Sequence, residues 1–452
     1  MTDAARRAAL DTLAAVRERG AYANLVLPGL LRERRLQGRD AAFATELTYG
    51  ACRAQGLLDA VIEEASGRSV DKIDGPVLDA VRLGVYQLLR TRVGAHAAVD
   101  ETVEAVKESS GRGASGFANA VLRKVAKADE DAWVDRVAPP AADDLIGHLA
   151  MQYAHPRWIA DAFWESLRAN GIRSMGQLQA LLAEDDARPP VHLVARPGEI
   201  SADELALIVG GEAGRLSPYA VYLTGGDPGA LEPVRDGLAG VQDEGSQLVA
   251  RAAAVAPLDG PDGGRWLDLC AGPGGKAALL GSLAAIDGAQ VDAVEPAEHR
   301  AELVRKAVRG LPVDVHVADG RESGLEPGYD RVLVDAPCSG IGALRRRPEA
   351  RWRKQPSDVD GLAVLQRSLL EAAAALVRPG GVVVYATCSP HVAETIDVVG
   401  DHALLDRIGL ERIDTRPLVP DTDLPLGDGP HVQLWPHLHG TDGMFFQALR
   451  KV

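Results

Sequence analysis

The feature that most constrains the fold is a series of short apolar runs in the C-terminal half of the chain. Each run has the length of a β-strand, and the amphipathic stretches between the runs suit helices. Strands that alternate with helices form a parallel, doubly wound sheet, so we expect a Rossmann-like α/β domain over residues 241–452. A closing pair of runs, 431–436 and 444–451, predicts an antiparallel hairpin. The runs that predict the parallel strands are 265-RWLDLC-270, 290-QVDAVE-295, 313-VDVHVAD-319, 331-RVLVDAPC-338 and 381-GVVVYATC-388.

The N-terminal part of the chain has a different pattern, with apolar residues at helical spacing. Pro76 suits the first turn of a helix, and Gly20, Gly50 and Gly94 suit helix ends. We therefore expect an all-helical domain of about six or seven helices over residues 1–130.

Residues 131–240 join these two domains. The first part of this stretch is mostly helical, and it is followed by a strand-like run at 188–199. A helix with Ser201 as its N-cap comes next, and 219–226 is again strand-like. The order predicts a small α/β subdomain that leads into the C-terminal domain.

Charge and hydropathy limit the partners that the protein can have. The net charge of −15 argues against broad, charge-driven binding of nucleic acid, because phosphate contacts need Lys and Arg. The densest local basic patch is 345-RRRPEARWRK-354, which we expect to flank the active-site cleft, although such a run can equally be a solvated helix face. Residues 1–20 carry charges throughout where a signal peptide is apolar, so we expect a cytoplasmic protein with no membrane partner.

The four cysteines indicate catalysis better than structure. They form no disulfide framework and have no zinc-ligand spacing, so we expect no metal. Cys270, Cys338 and Cys388 lie at the ends of predicted strands, where open α/β sheets keep their chemistry. Cys52 lies in a helical apolar context and is expected in the core.

A glycine-rich turn, 268-DLCAGPGGKAA-278, follows the first predicted strand. Its glycines let the backbone approach a ligand, and the helix that begins near Lys276 points amide groups at it. The turn is not a Walker loop, and Pro273 breaks the dinucleotide pattern.

Two acids at the ends of the next strands extend this pattern. Glu295 is placed to hold ribose hydroxyls and Asp319 to receive an adenine amino group, although single acids at strand ends are often helix caps. The ordered set favours S-adenosylmethionine over a dinucleotide. Cys270 is expected to pack beside the ligand rather than react. The predicted cofactor-binding residues are Cys270, Ala271, Gly272, Pro273, Gly274, Gly275, Lys276, Glu295, Arg300, Asp319 and Asp335.

The N-terminal segments 39-RDAAFATELTYG-50, 96-HAAVDETVEAVK-107 and 116-GFANAVLRKV-125 resemble the NusB-type helical RNA-binding domain. Domains of this type contact RNA through basic N-terminal helices. The resemblance thus implies phosphate contacts in the first helix, with solvated surface arginines as the alternative. The candidate residues are Arg6, Arg7, Arg17 and Arg19.

The C-terminal part of the chain resembles the RsmB/Sun family of RNA cytosine-C5 methyltransferases. This resemblance implies methylation of carbon 5 of a cytosine in 16S rRNA, the small-subunit RNA, with S-adenosylmethionine as methyl donor and a covalent Cys–RNA adduct. One small departure is Gly272, where the family usually has Ala. The motifs that carry the resemblance are 242-QDEGSQLVA-250, 268-DLCAGPGGK-276, 292-DAVEPAEHRAELV-304, 331-RVLVDAPCSGIGALRRRPEARW-352, 385-YATCSPHVAE-394 and 442-DGMFFQALRK-451.

The same resemblance assigns roles to four residues. A Pro-Cys motif carries the attacking thiol in DNA cytosine methyltransferases, which would nominate Cys338. In the RNA family the Thr-Cys motif carries it, so the resemblance implies Cys388 as nucleophile and Cys338 as the residue that assists product release. Asp335 would stabilise charge on the ring, and Lys276 would contact the cofactor or the ring.

Two other functions stay open on the sequence. One is a transfer-RNA cytosine methyltransferase, and the other is an rRNA-binding assembly factor with little catalytic activity. We expect a monomer. We also expect a single-stranded or looped RNA target, because a thiol reaches the face of a base only when that base is unstacked.

Overall fold

The computed structural model describes residues 2–420 and 423–452, and these fold into two compact units. The first unit is the chain up to Asp161 together with Leu178–Ala187 and Leu344–Lys354. The second comprises Ala162–Gln177, Arg188–Ala343 and Gln355–Val452. The expected linker 131–240 is therefore divided between the two units, and the basic segment 345–354 belongs to the first. Within the described ranges, no helix combines the length and the apolar character needed to cross a membrane.

The first unit is helical. Its main apolar cluster collects side chains from several of its helices, and Leu47, Val81 and Leu122 are fully buried in it. Cys52 lies in this cluster at 2% exposure, which confirms its predicted core position. The helices of this part of the chain are α1 (Ala4–Arg19), α2 (Ala23–Glu33), α3 (Gly38–Ser66), α4 (Gly75–Arg90), α5 (Ala95–Val125), α6 (Glu130–Val137), α7 (Leu145–Gln152), α8 (Arg157–Ala169) and α9 (Met175–Asp186).

Helix ends in this unit follow the predicted signals with one exception. Gly20 ends α1 in the left-handed conformation, Gly94 precedes α5, and Pro76 lies in the first turn of α4. Gly50 was expected at a helix end but lies inside α3, so that prediction is wrong. A Cβ at Gly50 would lie 2.0 Å from the ring of Tyr86, so the glycine is needed for close packing rather than for a turn.

The second unit contains a small antiparallel sheet with strand order β2-β3-β1-β4. Ser201 and Glu204 form a reciprocal capping box at the start of α10, which confirms the predicted N-cap. The strand-like runs at 188–199 and 219–226 are confirmed as β1 and β3. The elements are β1 (Val191–Ala195), α10 (Ala202–Val209), β2 (Glu212–Ala213), β3 (Ala220–Leu223), α11 (Glu232–Arg235) and β4 (Ala239–Val241).

The same unit contains a larger sheet that confirms the predicted parallel core. Its order is β10-β12-β9-β8-β5-β6-β7, with β11 paired to β12. The strands from β9 to β7 in this order are parallel, whereas β10, β11 and β12 pair antiparallel, so the predicted closing hairpin is also confirmed. The elements are α12 (Glu244–Val255), β5 (Arg265–Asp268), α13 (Gly275–Asp287), β6 (Gln290–Val294), α14 (Glu298–Ala307), β7 (Val313–His316), β8 (Tyr329–Asp335), α15 (Ser357–Leu376), β9 (Val377–Thr387), α16 (Ile396–Val399), α17 (His402–Ile408), β10 (Leu410–Arg412), β11 (Val432–Gln433), α18 (Pro436–His439) and β12 (Phe445–Lys451).

The chain order of this sheet creates one topological switch point. β5 pairs with β6 on one side and with β8 on the other, and all three are parallel. Ligands of open α/β sheets bind in the crevice outside the carboxyl ends of such strands. The residues that follow Asp268, Asp335 and Thr387 all leave the sheet at this edge, which places the cofactor loop and both cysteine motifs there.

Candidate active site

The glycine-rich loop after β5 lies against Glu295. A Cβ on Gly272 would lie 2.0 Å from Glu295 Oε2, and Arg300 Nη2 donates to the carbonyl of Gly272 at 2.6 Å. Gly274 has φ of 112° and is the N-cap of α13, a backbone conformation that disfavours other residues. A side chain at position 272 would therefore require Glu295 to shift.

The two acids of the predicted cofactor site differ in their surroundings. Glu295 directly follows β6, is 2% exposed, and accepts a hydrogen bond from the backbone N–H of Ala297 at 3.0 Å. Asp319 lies three residues beyond the end of β7, and its side chain is 43% exposed. Hydrogen bonds from Arg321 lower the pKa of Asp319 to about 2. In this structure Asp319 therefore acts as a helix cap, which was the alternative to cofactor binding. The contact of Asp319 with an adenine amino group stays a prediction.

Two further polar residues at this loop were not predicted. Asp268, at the end of β5, is fully buried, and its Oδ2 has no hydrogen-bond partner in the part of the chain that the structure describes. Burial, with the nearby Asp335 carboxylate, raises the pKa of Asp268 to about 7. Gln242 is 8% exposed, and neither atom of its amide has a partner among the described residues. The sequence did contain a signal for each of these residues: an acid just before the glycines, and a Gln-Asp pair before α12.

Cys270 packs against apolar side chains, and its place beside the cofactor stays a prediction. Its side chain packs against the apolar cluster beneath the sheet, where it neighbours Leu267 and Leu269. Burial raises the pKa of the Cys270 thiol well above its usual value, so this thiol stays protonated. Ala271, next along the loop, is 4% exposed and belongs to a cluster on the α13–α14 side.

Lys276 and Asp335 form an ion pair at the switch point. Lys276 Nζ lies 2.9 Å from Asp335 Oδ2 and donates to Ser246 Oγ at 3.3 Å. Burial lowers the pKa of Lys276, but the Asp335 carboxylate outweighs it and leaves the pKa above its usual value. The side chain is therefore a fixed cation. Ser246, from the 242–250 motif, is a contact that sequence reasoning did not single out.

The two cysteine motifs meet at this edge. The Sγ atoms of Cys338 and Cys388 are 3.4 Å apart, and neither cysteine forms a disulfide among the described residues. The backbone N–H of Gly342 donates to the carbonyl of Cys388 at 3.0 Å, which ties one loop to the other. A hydrogen bond with Cys388, followed by burial, raises the pKa of Cys338 well above its usual value. The pair therefore places a protonated Cys338 thiol beside Cys388.

The basic segment 345–354 is partly buried within its own unit. It belongs to the helical unit, where Arg351 is fully buried and Arg345 is 1% exposed. Arg353 donates to the carbonyls of Val16, Gly20 and Ala21 at the end of α1. The buried Arg345 and Arg351 are therefore not part of a solvated helix face, because their guanidinium groups face protein acceptors. A single sequence cannot distinguish such anchors from solvated cations.

The arginines of the first helix are partly occupied as well. Arg6, Arg7 and Arg17 form ion pairs with Asp3, Glu108 and Asp79, respectively. Arg19 is exposed and lies in the last turn of α1. Arg19 is therefore accessible for the predicted phosphate contact. At the other three positions a phosphate would have to compete with the carboxylate that already pairs with the arginine.

Comparison with known proteins identifies the family. A family model described as 16S rRNA methyltransferase RsmB/F matches residues 255–450, and the NusB family model matches residues 3–127. The ribosomal RNA small subunit methyltransferase B of Pseudomonas putida is 31% identical over 464 residues, with 99% of this chain and 98% of that enzyme covered. The chain belongs to the RsmB/F methyltransferase family.

A further relative is similar to the chain over its whole length, and two solved structures share its fold. A Mycobacterium tuberculosis protein that is named as a methyltransferase is 62% identical over 450 residues, covering 100% of this chain and 97% of that protein. The crystal structure of PH0851 covers 99% of this chain with a TM-score of 0.78 at 21% identity. The structure of NSun6 from Pyrococcus horikoshii with SFG covers 66% of this chain with a TM-score of 0.54 at 17% identity. These structures support the fold of the RsmB/F chain.

Methyltransferases of the RsmB/F family use S-adenosylmethionine, and the loop after β5 fits such a cofactor. The glycines leave space that a Cβ would fill, and Glu295 lies directly beside Gly272. The unpartnered oxygen of Asp268 and the free amide of Gln242 offer polar groups for the charged amino-acid end of the molecule. Glu295 would hold the ribose hydroxyls, as the sequence predicts.

Proposed function

We propose that this protein methylates carbon 5 of a cytosine in small-subunit ribosomal RNA and that Cys388 forms the covalent adduct. The observation that carries the proposal is the pair of thiols, 3.4 Å apart, at the same sheet edge as the cofactor loop and the Lys276–Asp335 pair. Relatives named ribosomal RNA small subunit methyltransferase B support rRNA as the substrate class.

Carbon 5 of cytosine is a poor nucleophile and must be activated by addition at carbon 6. The Cys388 thiolate forms a bond to carbon 6, and the π electrons of the ring shift toward carbon 5 and the ring nitrogen. The fixed cation of Lys276 favours the thiolate form of Cys388, since an opposite charge nearby stabilises the charged state. Lys276 thereby prepares the nucleophile while it remains paired to Asp335.

Asp335 is placed to act on the ring. Its side chain is 25% exposed, so one carboxylate oxygen is paired to Lys276 while the group still faces the crevice. In its protonated form this carboxyl group would donate a hydrogen bond to the ring nitrogen and so stabilise the negative charge that develops there when the thiolate adds. S-adenosylmethionine, when bound, supplies the methyl group to the activated carbon.

Release requires loss of the proton at carbon 5. The proton passes to solvent water, the C–H electron pair restores the double bond between carbons 5 and 6, and the carbon–sulfur bond breaks with its electron pair returning to Cys388 as a thiolate. The position of Cys338 beside Cys388 supports a role for its thiol in this second half of the reaction. Its raised pKa keeps the thiol protonated until substrate enters, so that Cys338 does not compete with Cys388 as the attacking group.

The substrate class is tested by direct methylation. The purified protein is incubated with S-adenosylmethionine carrying a labelled methyl group and with small-subunit rRNA, large-subunit rRNA or transfer RNA in separate reactions. Nuclease digestion and mass spectrometry then identify the labelled nucleoside. We expect 5-methylcytidine in small-subunit rRNA and label in that RNA above the other two. Label confined to transfer RNA, or a methyl group on any other atom, would overturn the proposal. Cys52→Ala, a core thiol far from the loop in sequence, is the matched thiol control and should retain activity.

A further inference from the structure

Glu394 is a buried carboxylate that none of the proposed reaction steps uses. It is fully buried, and its oxygens accept hydrogen bonds from four donors. Ser339 N donates at 2.7 Å, Ser389 Oγ at 2.6 Å and Gln366 Nε2 at 3.2 Å, and the Ser339 hydroxyl is the fourth donor. An ionised carboxylate is an acceptor only, so these four donors fill its hydrogen-bonding capacity.

The two serines are the residues that directly follow the two thiols. Ser339 comes after Cys338 and Ser389 after Cys388, and the serine hydroxyls are 3.0 Å apart. One carboxylate therefore holds the backbone next to Cys338 and the side chain next to Cys388 at the same time. We call Glu394, Ser339 and Ser389 the serine clamp.

Neighbouring elements fix the clamp in turn. The hydroxyl of Tyr385, on β9, donates to the carbonyl of Glu394 at 2.7 Å. Gln366, on α15, donates both to Glu394 and to the carbonyl of Pro337, at 2.9 Å in the second case. The backbone of Glu394 is thus anchored to a buried strand, and its carboxylate is anchored to a long helix as well as to the two loops that it joins.

We infer that Glu394 is a positioning residue that holds the Cys338 and Cys388 loops in register and thereby sets both adduct formation and adduct release. This inference rests on the proposed function. Glu394 contacts the serines, so it acts through them and not on the substrate. Displacement of a reacting group by about 1 Å can cost about 10²-fold in rate, which makes loop register a sensitive control.

The clamp predicts a division of labour between the serines. Loss of the Ser389 hydroxyl frees the Cys388 side and slows formation of the adduct. Loss of the Ser339 hydroxyl weakens the hold on the Cys338 side, where the Ser339 N–H remains bonded to Glu394, so the adduct forms at a near-normal rate and then decays more slowly. A merely structural role for the network would alter stability without separating these two rates.

The experiment measures single-turnover kinetics of the full-length protein with small-subunit rRNA, recording adduct formation, adduct decay and RNA affinity. Glu394→Ala should slow formation and decay by about 10²-fold each, with RNA affinity unchanged. Glu394→Gln keeps one carbonyl oxygen for Ser339 N and should lose less than Glu394→Ala. Ser389→Ala should slow adduct formation, and Ser339→Ala should slow adduct decay. These two variants test the inference if the Glu394 variants do not fold.

Asp330→Asn is the matched control. Asp330 is a buried carboxylate at the opposite end of β8, where it accepts from Arg265 N at 3.1 Å and from Arg378 Nε at 2.6 Å. The Asp330→Asn substitution should lower the stability of the protein. The rates of adduct formation and adduct decay per folded molecule should be unchanged. Wild-type rates in Glu394→Ala, or equal rate losses in Asp330→Asn, would overturn the inference. A wild-type protein that forms no adduct would overturn the proposed function, and with it the basis of the clamp.

Discussion

Replacement of Arg351 by Met tests whether the basic segment anchors the helical unit. The Arg351 guanidinium is fully buried, with Nη2 2.7 Å from Asp185 Oδ2. It also donates to the carbonyls of Ala154 and Asp185, each at 2.9 Å. Burial raises the pKa of Asp185, but Arg351 outweighs this effect and leaves the pKa below its usual value, so Asp185 is ionised.

Arg351→Met leaves that buried carboxylate without its cation. Removal of one partner from a buried ion pair costs about 3–5 kcal/mol, and for a domain of this size 1 kcal/mol shifts Tm by about 2–4 °C. We therefore expect the helical unit to melt about 6–20 °C lower. Asp185→Asn in the same chain should recover most of the loss, because the uncompensated charge is then gone.

Hydrogen exchange followed by mass spectrometry on peptides from α3 and α9 reports the stability of the helical unit alone. Arg347→Ala is the matched control, since Arg347 lies in the same segment but is exposed, and it should change stability by less than about 0.5 kcal/mol. The reasoning is refuted if Arg351→Met leaves exchange in α3 and α9 unchanged while it weakens RNA binding. That result would make Arg351 an RNA contact.

Three further predictions test the packing and electrostatics of single sites. Gly50→Ala places a Cβ against Tyr86 and should destabilise the protein by about 1–3 kcal/mol in urea denaturation, whereas Gly116→Ala, in open space on α5, should be neutral or stabilising. The raised pKa of Asp268 means that its contribution to stability is present below about pH 4 and is lost as the pH rises through about 7. Asp268→Asn should therefore be more stable than wild type at pH 8 and not at pH 4. Lys276→Met should slow single-turnover adduct formation by about 10²–10³-fold, and an unchanged rate would remove Lys276 from the mechanism.

Much of the fold follows from local patterns in the sequence. The alternating apolar runs predicted the parallel strands, because strand length and burial on both faces are local properties. Gly50 shows where this reasoning fails. Its function is to admit the ring of Tyr86 from another helix, and no local signal distinguishes such a glycine from one that ends a helix.

The site divides in the same way. The cofactor loop, Glu295 and both cysteine motifs are strand-end features that the sequence predicted at one sheet edge. The sequence contains Glu394 in the 385–394 motif but does not predict its contacts, since its four hydrogen-bond donors come from three separate segments. The burial within the basic segment was not predicted, because a sequence does not show which of its charged residues are buried. Arg351 forms a buried ion pair with an acid of its own unit.

The central claim is that Cys388 attacks the cytosine and Cys338 completes the reaction. Cys388→Ala and Cys338→Ala are incubated with methyl-labelled S-adenosylmethionine and small-subunit rRNA, and protein–RNA species are separated on a denaturing gel. We expect no methylation and no adduct with Cys388→Ala, and an accumulating labelled adduct with Cys338→Ala. The reverse pattern, or methylation by Cys388→Ala at the wild-type rate, would contradict the claim.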